Sequence, residues 1–315
     1  MSSETPNPAA SFEPYRRRLL GLAYRMLGSM ADAEDAVQET YLRWHAADRD
    51  RVSDVRAFLM TTTTRICLDV LTSARARREE YVGPWLPEPV VDTAALAPDS
   101  RTEVAEDLSI GLLLTLDRLS PLERAAFLLH DVFDFSFSEV ASALERSENA
   151  CRQLASRARA HVRAARPRGV TAPPARSGEI DAKHAQLISA FAAATQSGDL
   201  TRLTQLLASD VRIVTDGGGK VRAAQTVIDG ADRAAQFLVE ATRKRPGAWW
   251  REDFTLRLAL INGLPGVIVD GPEGPVQTAA FEVEGDVIRA LYVVRNPDKL
   301  RHLAPPSTSP ERSPG

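Results

Sequence analysis

Apolar residues recur at three- and four-residue spacing through residues 12–80 and again through 109–166, which predicts two runs of amphipathic helices. Leu19, Leu20, Ala23, Met26 and Leu27 mark the first helix. In MADAEDAVQETYLRW, Asp32 is the expected N-cap, with Glu34 and Asp35 suited to the positive end of the helix dipole. Val37, Tyr41 and Trp44 share one face there, and Asp35 and Glu39 fall on another. The next segment, SDVRAFLMTTTTRICLDVLTSARARREEY, is capped by Ser53 or Asp54 and lines up Leu59, Thr63, Ile66, Val70 and Ala74. Its four successive threonines favour strand locally, against the longer helical period. In LSPLERAAFLLHDVF, Ser120 caps, Pro121 takes the first helical position and Glu123 lies in the first turn. Residues 137–162 then read as two helices joined by a tight turn, which is helix-turn-helix patterning. Val140, Ala141 and Leu144 face inward on the first helix. Ser147 caps the second, where Ala150, Leu154 and Ala158 face inward and Arg152, Gln153, Ser156, Arg157 and Arg159 face outward. The turn position that commonly holds Gly is Glu145, and a left-handed conformation there costs about 1–2 kcal/mol.

From residue 181 the pattern changes. DAKHAQLISAFAAATQSGDLTRLTQLL is helical, and alternating runs follow: VRIVT, DFTLRLALI, GVIVD, VQTAAFEVE and DVIRALYVV. Turn sequences DGGG, NG, DGPEG and EGD separate or flank them. Helices followed by such a meander predict an α+β domain. The expected organisation is a disordered N-terminus at 1–11, a helical module at 12–80 and a linker at 81–108. A second helical module at 109–166, a Pro/Gly/Ala linker at 167–180, the α+β domain at 181–304 and a disordered tail at 305–315 complete it.

The charge distribution adds to this picture. The whole chain carries a net charge of −3, which alone argues weakly against a freestanding nucleic-acid binder. Locally, residues 146–168 hold seven Arg and one Glu, whereas residues 79–108 hold eight acids and one Arg. A basic helix beside an acidic linker fits a protein that meets DNA in the company of another protein. Two cysteines, Cys67 and Cys151, make neither a disulfide framework nor a metal set, which points to the cytoplasm. No apolar run approaches the roughly 20 residues of a membrane span, and the N-terminus lacks the apolar core of a secretory signal. Neither a metal nor a cofactor is expected.

The outward positions of the second helix-turn-helix segment have the chemistry of base and phosphate recognition. Arg pairs with guanine, Gln with adenine, and Ser with further Arg holds phosphates. The connector GPWLPEPVV is unusual for a linker, since it holds Trp85 and Leu86 among three prolines, Pro84, Pro87 and Pro89. Prolines lower the entropy cost of docking an extended segment, and Trp85 and Leu86 are natural anchors. In the α+β domain, Asp216, Asp229 and Asp270 are acid–base candidates by residue type only, and Asp216 and Asp270 also suit turns. His184 stands alone.

These segments resemble an extracytoplasmic-function (ECF) RNA polymerase sigma factor. DAEDAVQETYLRW resembles the part of the second sigma region that docks on the polymerase clamp helices. AFLMTTTTRICLDVLTSARARRE resembles the part that melts and reads the minus-ten element, and residues 119–162 resemble the fourth region, which reads the minus-thirty-five element. The resemblance implies polymerase contacts at Asp35, Glu39, Tyr41, Leu42 and Trp44, although Tyr41 and Trp44 fit core positions equally well. It implies phosphate contacts of a displaced strand at Arg65, Arg75, Arg77 and Arg78, with Thr61 to Thr64 facing unstacked bases. Promoter contacts are implied at Arg152, Gln153, Ser156, Arg157 and Arg159.

Beyond the fourth region the chain resembles the SnoaL-like branch of the NTF2-like fold, a curved antiparallel sheet around helices that forms a cone with a pocket. WLPEP at Trp85–Pro89, NPDKL at Asn296–Leu300 and DGGGK at Asp216–Lys220 resemble signatures of the ECF41 subgroup. The resemblance implies regulation by the fused domain, through contact of Trp85, Leu86, Pro87, Glu88 and Pro89 with Asn296, Pro297, Asp298, Lys299 and Leu300. Asn296–Pro297–Asp298 forms a turn, Lys299 is expected to meet Glu88, and Leu300 to pack near Trp85. The implied partners are core RNA polymerase (the clamp helices of its largest subunit, and its flap), promoter DNA and a small-molecule ligand in the C-terminal pocket. The free protein is expected to be a monomer. Two other classes compete: a ligand-responsive helix-turn-helix regulator that needs no polymerase, and a pocket enzyme of the polyketide-cyclase kind.

Overall fold

The structure, a computed structural model, describes residues 8–79, 81–91, 96, 108–165, 180–243 and 254–303, with side chains for all of these except 74–79 and 165. It divides into two compact units. One gathers the described residues of 1–81 and 92–176, and the other those of 82–91 and 177–315.

Among the described residues, the first unit contains helices and no strand. Helix α1 spans Pro8–Leu27, α2 Met30–Ala46 and α3 Val55–Glu79. Residues 8–11, expected to be disordered, form the first turn of α1. Proline suits a first turn, and Phe12 behind it is fully buried. The N-cap of α2 is Ser29, not Asp32: its hydroxyl accepts from the Asp32 amide at 3.1 Å, leaving Asp32 in the first turn. Asp54 caps α3, accepting from the Ala57 amide at 3.0 Å. The threonine run is helical, and Thr62, Thr63 and Thr64 satisfy their hydroxyls by donating to the carbonyls one turn back, at 2.8–2.9 Å. Thr63 also hydrogen-bonds Thr40 of α2 at 2.9 Å. The buried face of α3 is Leu59, Met60, Thr63, Thr64, Ile66, Cys67 and Leu71, rotated from the expected one so that Val70 is only partly covered.

Four further helices follow: α4 Ile110–Asp117, α5 Pro121–Phe127, α6 Phe137–Leu144 and α7 Glu148–Ala165. Ser120–Glu123 and Ser136–Glu139 both form reciprocal capping boxes. Between α5 and α6 the chain makes a π-helical turn, Leu128–Val132, and plants Phe133 and Phe135 in the core. Arg18 and Arg56 both donate to the Phe133 carbonyl, at 2.9 and 2.7 Å, which ties α1 and α3 to this turn.

In the second unit, α8 Ala182–Ser197, α9 Leu200–Leu206 and α10 Ala231–Arg243 pack on a six-stranded sheet. Its strands are β1 Leu207–Asp216, β2 Ile228–Asp229, β3 Thr255–Ile261, β4 Leu264–Gly271, β5 Gly274–Glu284 and β6 Val287–Val294. The order is β2-β1-β6-β5-β4-β3. Strands β3 to β6 form the expected antiparallel meander. The sheet as a whole is mixed, not antiparallel, because β1 pairs parallel to β6. The helix α10 between β1 and the meander lets the chain return in the same direction, which a tight hairpin does not allow. Phe191, Leu203, Ile213, Leu238, Phe281 and Leu291 stand at the centre of this core.

Candidate nucleic-acid interface and linker clamp

Helices α6 and α7 meet at Glu145, which adopts the left-handed conformation (φ 54°, ψ 47°). Its carboxylate pairs with Arg65 at 3.0 Å, an exposed contact that recovers only part of the cost of a non-glycine residue there. On α6 the buried positions are Val140, Ala143 and Leu144, with Ala141 only partly covered. Helix α7 buries Cys151, Ala155, Ala158 and Val162. Ala150 and Leu154, expected inward, lie at the margin of that face. Rotating the face by one position leaves Arg152, Gln153, Ser156 and Arg157 exposed. Arg152 pairs with Glu148 at 2.8 Å and lies over the Phe137 ring at 5.1 Å. Arg157 pairs with Glu123 at 2.6 Å. Burial of Glu123 works against its ionisation, but the hydrogen bonds from Arg157 and Ser120 outweigh it and hold the carboxyl below its usual range. Arg159, expected outward, is partly buried and bound to Asp131 at 2.7 Å, because it sits where α7 meets the π-helical turn.

On α2 and α3 the expected sites separate. Asp35 is exposed, Glu39 pairs with Arg43 at 2.9 Å and Leu42 is 54% exposed. Tyr41 is half-buried, edge-on to Phe12 at 5.1 Å. Trp44, for which docking surface and core were both open, is core at 2% exposure. Its indole donates to the Pro8 carbonyl and the Ser11 hydroxyl, both at 3.1 Å, and its ring meets Phe58. Thr63 and Thr64 are buried and self-satisfied, so they do not face bases. Arg65, expected on phosphates, donates to the Ala143 and Ser142 carbonyls at 3.1 Å each. Those carbonyls end α6 and need donors. The side chains of Arg75, Arg77 and Arg78 lie outside the described residues.

The linker clamp has more of its polar groups tied. Residues Leu86–Val90 are buried in the second unit. A buried extended segment must have its backbone groups satisfied. Pro87 and Pro89 bring no amide, and side chains supply the partners of several others. The Asp216 carboxylate accepts from the Leu86 amide at 2.9 Å, from Lys299 at 2.7 Å and from the Gly218 amide at 3.0 Å. Lys299 also donates to the Leu86 carbonyl at 2.5 Å, and its ammonium lies 4.4 Å from the centre of the Trp85 ring. Lys299 thus meets Asp216, which was not its expected partner. Asp216 is 0% exposed, and an unpaired buried carboxylate would be costly, so the cation goes there. The Glu88 carboxylate lies 4.0 Å from His302.

Asn262, in the NG turn between β3 and β4, binds both backbone groups of Val90. Its side-chain oxygen accepts at 3.1 Å, and its amide donates at 2.7 Å. Asn262 and Gly263 both have positive φ (52° and 74°), as the tight hairpin turn requires. His302 Nε2 lies 2.7 Å from the Pro89 carbonyl. Asn296 caps the turn Pro297–Lys299, accepting from the Asp298 amide at 3.1 Å, and Leu300 is buried. Asp298 binds Lys220 and Arg301. Of these partners, Asp216, Asn262 and His302 were not among the expected contacts. The DGGG and NG turns were the sequence signals that carried two of them.

A cavity of about 360 Å³ opens between α8, α10 and the sheet, lined by residues that include Ile188, Phe191, Phe237, Val267, Phe281 and Leu291. None of the acid–base candidates lines it. Asp216 faces the linker, Asp229 pairs with Arg212, Asp270 with Arg257, and His184 with Asp181. Among the described residues no cluster of potential metal ligands occurs, and no helix is long and apolar enough to cross a membrane.

Two segments of the chain match known families. Residues 12–77 match the family described as Sigma-70 region 2, and residues 109–162 the family described as Sigma-70, region 4. The chain is 40% identical to the ECF RNA polymerase sigma factor SigJ of Mycobacterium tuberculosis over 302 residues, 92% of each chain. It is 29% identical to the probable ECF RNA polymerase sigma factor SigI of the same species, over 96% of this chain and 98% of that one. The crystal structure of M. tuberculosis SigJ superposes with a TM-score of 0.68 at 34% identity, covering 92% of this chain and 97% of that one.

Proposed function

Because the chain belongs to the ECF family of RNA polymerase sigma factors, we propose that its promoter-reading face is the exposed side of α7 and that its output is set by the linker clamp. The protein is an alternative sigma factor that binds core RNA polymerase and directs promoter recognition and transcription initiation. In this reading Arg152, Gln153, Ser156 and Arg157 meet the upstream promoter element, and their present ion pairs exchange for phosphate and base contacts. Asp35, Glu39, Leu42 and the outer edge of Tyr41 form an acid-rimmed apolar surface for the polymerase clamp, and Arg75, Arg77 and Arg78 follow the displaced strand. The protein acts by binding, in the cytoplasm where the polymerase is. A regulator that works without polymerase has no use for a region-2 module.

One observation carries the regulatory reading. Leu86 has its amide bound to Asp216 and its carbonyl bound to Lys299, while Asp216 and Lys299 bind each other. The segment so held is part of the connection between the two DNA-reading modules, so docking restricts the positions those modules can take. Run-off transcription with core polymerase tests this, comparing the full chain with one that stops before Asp181. Promoter choice is expected to be unchanged, because both modules remain, and the yield to change. Equal yield from the two proteins refutes regulation by the clamp. Absence of promoter-dependent transcription from both refutes the promoter assignment.

A further inference from the structure

We propose that the cavity of the second unit binds an apolar monoanion, a carboxylate or sulfonate on an aliphatic or ring body, and that occupancy tightens the linker clamp. The volume of about 360 Å³ falls within the roughly 300–1,000 Å³ of small-molecule sites. The walls are apolar, and their hydroxyls are already used. Thr195 donates to the Phe191 carbonyl at 2.8 Å and Thr242 to the Leu238 carbonyl at 2.9 Å. Thr215 accepts from the Ala224 amide at 2.7 Å and donates to its carbonyl at 3.3 Å. A ligand body therefore meets hydrocarbon on these walls.

The charged lining residues are Arg222, Arg295 and Glu240, and Glu240 is exposed at the rim. Arg295 donates to the Arg222 carbonyl at 2.6 Å, which keeps the two arginines together. The Arg222 guanidinium makes no ion pair or hydrogen bond with any residue described. A guanidinium at the mouth of an apolar cavity suits a forked contact to a carboxylate or sulfonate.

The same walls carry the clamp. Strand alternation puts Thr215 on the cavity and Asp216 on the linker side. The Asp216 carbonyl accepts from the amides of Arg295 and Asn296, at 2.7 and 3.1 Å. Gly218 lies so close to Asn296 that a Cβ there would sit 2.2 Å from the amide nitrogen. The loop 217–225 thus has the cavity rim on one side and the NPDKL turn on the other. An anion that orders Arg222 also orders the loop on which Asp216 and Gly218 depend.

The regulatory meaning rests on the clamp reading above, but binding is measured without polymerase, so the two fail separately. The full chain is titrated with decanoate, decanol and decyltrimethylammonium by calorimetry, with hydrogen exchange followed at the Leu86 and Val90 amides. Decanoate is expected to bind saturably at one site, at least tenfold tighter than decanol, with the ammonium weakest. Arg222→Gln is expected to lower decanoate affinity about tenfold. Ala192→Phe and Ala241→Phe, on different helices, are each expected to fill the space and abolish binding, with circular dichroism selecting whichever remains folded. Exchange at Leu86 and Val90 is expected to slow on saturation. Equal binding of decanoate and decanol, undiminished binding in a folded cavity-filling variant, or no saturable binding overturns the site. Saturable binding with unchanged exchange overturns its coupling to the clamp.

Discussion

Replacing Lys299 by Met tests the clamp at its most exposed energetic point. Methionine keeps much of the stem's length and its packing but removes the ammonium. Three contacts are lost together: the 2.7 Å bond to Asp216, the 2.5 Å bond to the Leu86 carbonyl and the approach to the Trp85 ring. Asp216 keeps the amide donors of Leu86 and Gly218 but loses its cation, and it is fully buried. Leaving one member of a buried ion pair without its partner costs about 3–5 kcal/mol. Part of that cost is the charge itself, so Asp216→Asn combined with Lys299→Met is expected to cost less than the sum of the single changes. The coupling is expected to be about 0.5–3 kcal/mol, as for residues in one network. The assay is native-state hydrogen exchange at the Leu86 and Val90 amides, which reports local release of the linker. Lys299→Met is expected to speed exchange there about a hundredfold or more, since each ~1.4 kcal/mol is a factor of ten. Protection in α7 serves as the control and is expected to stay unchanged. An exchange increase below about threefold at Leu86, with additive single and double variants, refutes the claim that this pair holds the linker.

Arg152→Ala and Arg157→Ala are each expected to weaken promoter binding by the holoenzyme by about 1–3 kcal/mol without unfolding the protein, as both side chains are exposed. Normal transcription by both variants at limiting holoenzyme removes α7 as the reader. Charge reversal at Asp35 and Glu39 is expected to weaken association with core polymerase in a pull-down and leave the melting temperature unchanged. Trp44→Ala is expected instead to destabilise the first unit by about 3–5 kcal/mol, because it empties a core site. Hydrogen bonding from Lys220, opposed by burial and helped by the charges of Lys220 and Arg301, holds the Asp298 carboxyl below its usual range. An unfolded aspartate titrates near about 3.9. The stabilisation from Asp298 is therefore present above that pH and lost as pH falls through the lower folded value. Exchange at turn residues is expected to rise only in acid. Lys220→Met is expected to bring the Asp298 titration, read by carboxyl NMR, back up, and an unchanged titration contradicts the pairing.

Periodicity located the helices of residues 12–80 and 109–166, α8, α9 and the meander, because a single face must be apolar at 3.6- or 2-residue spacing wherever an element packs, but it left α10 at Ala231–Arg243 unread. The Ser120 cap, the turn at Glu145 and the outward Arg152 and Arg157 were likewise legible locally, from residue type and spacing. So were the anchors Trp85 and Leu86 and the turn at Asn296–Lys299. What the local pattern left undetermined depended on partners far along the chain. Trp44 joined the core because α1 begins at Pro8 and delivers a carbonyl to its indole. Arg65 turned to the end of α6 because unsatisfied helix carbonyls lie 77 and 78 residues away in sequence. Lys299 reached Asp216, 83 residues away in sequence, because a fully buried carboxylate is costly without a paired cation. The parallel pairing of β1 with β6 was also a tertiary decision. Alternation specifies which residues of a strand face the core, but not which neighbour lies alongside it or in which direction.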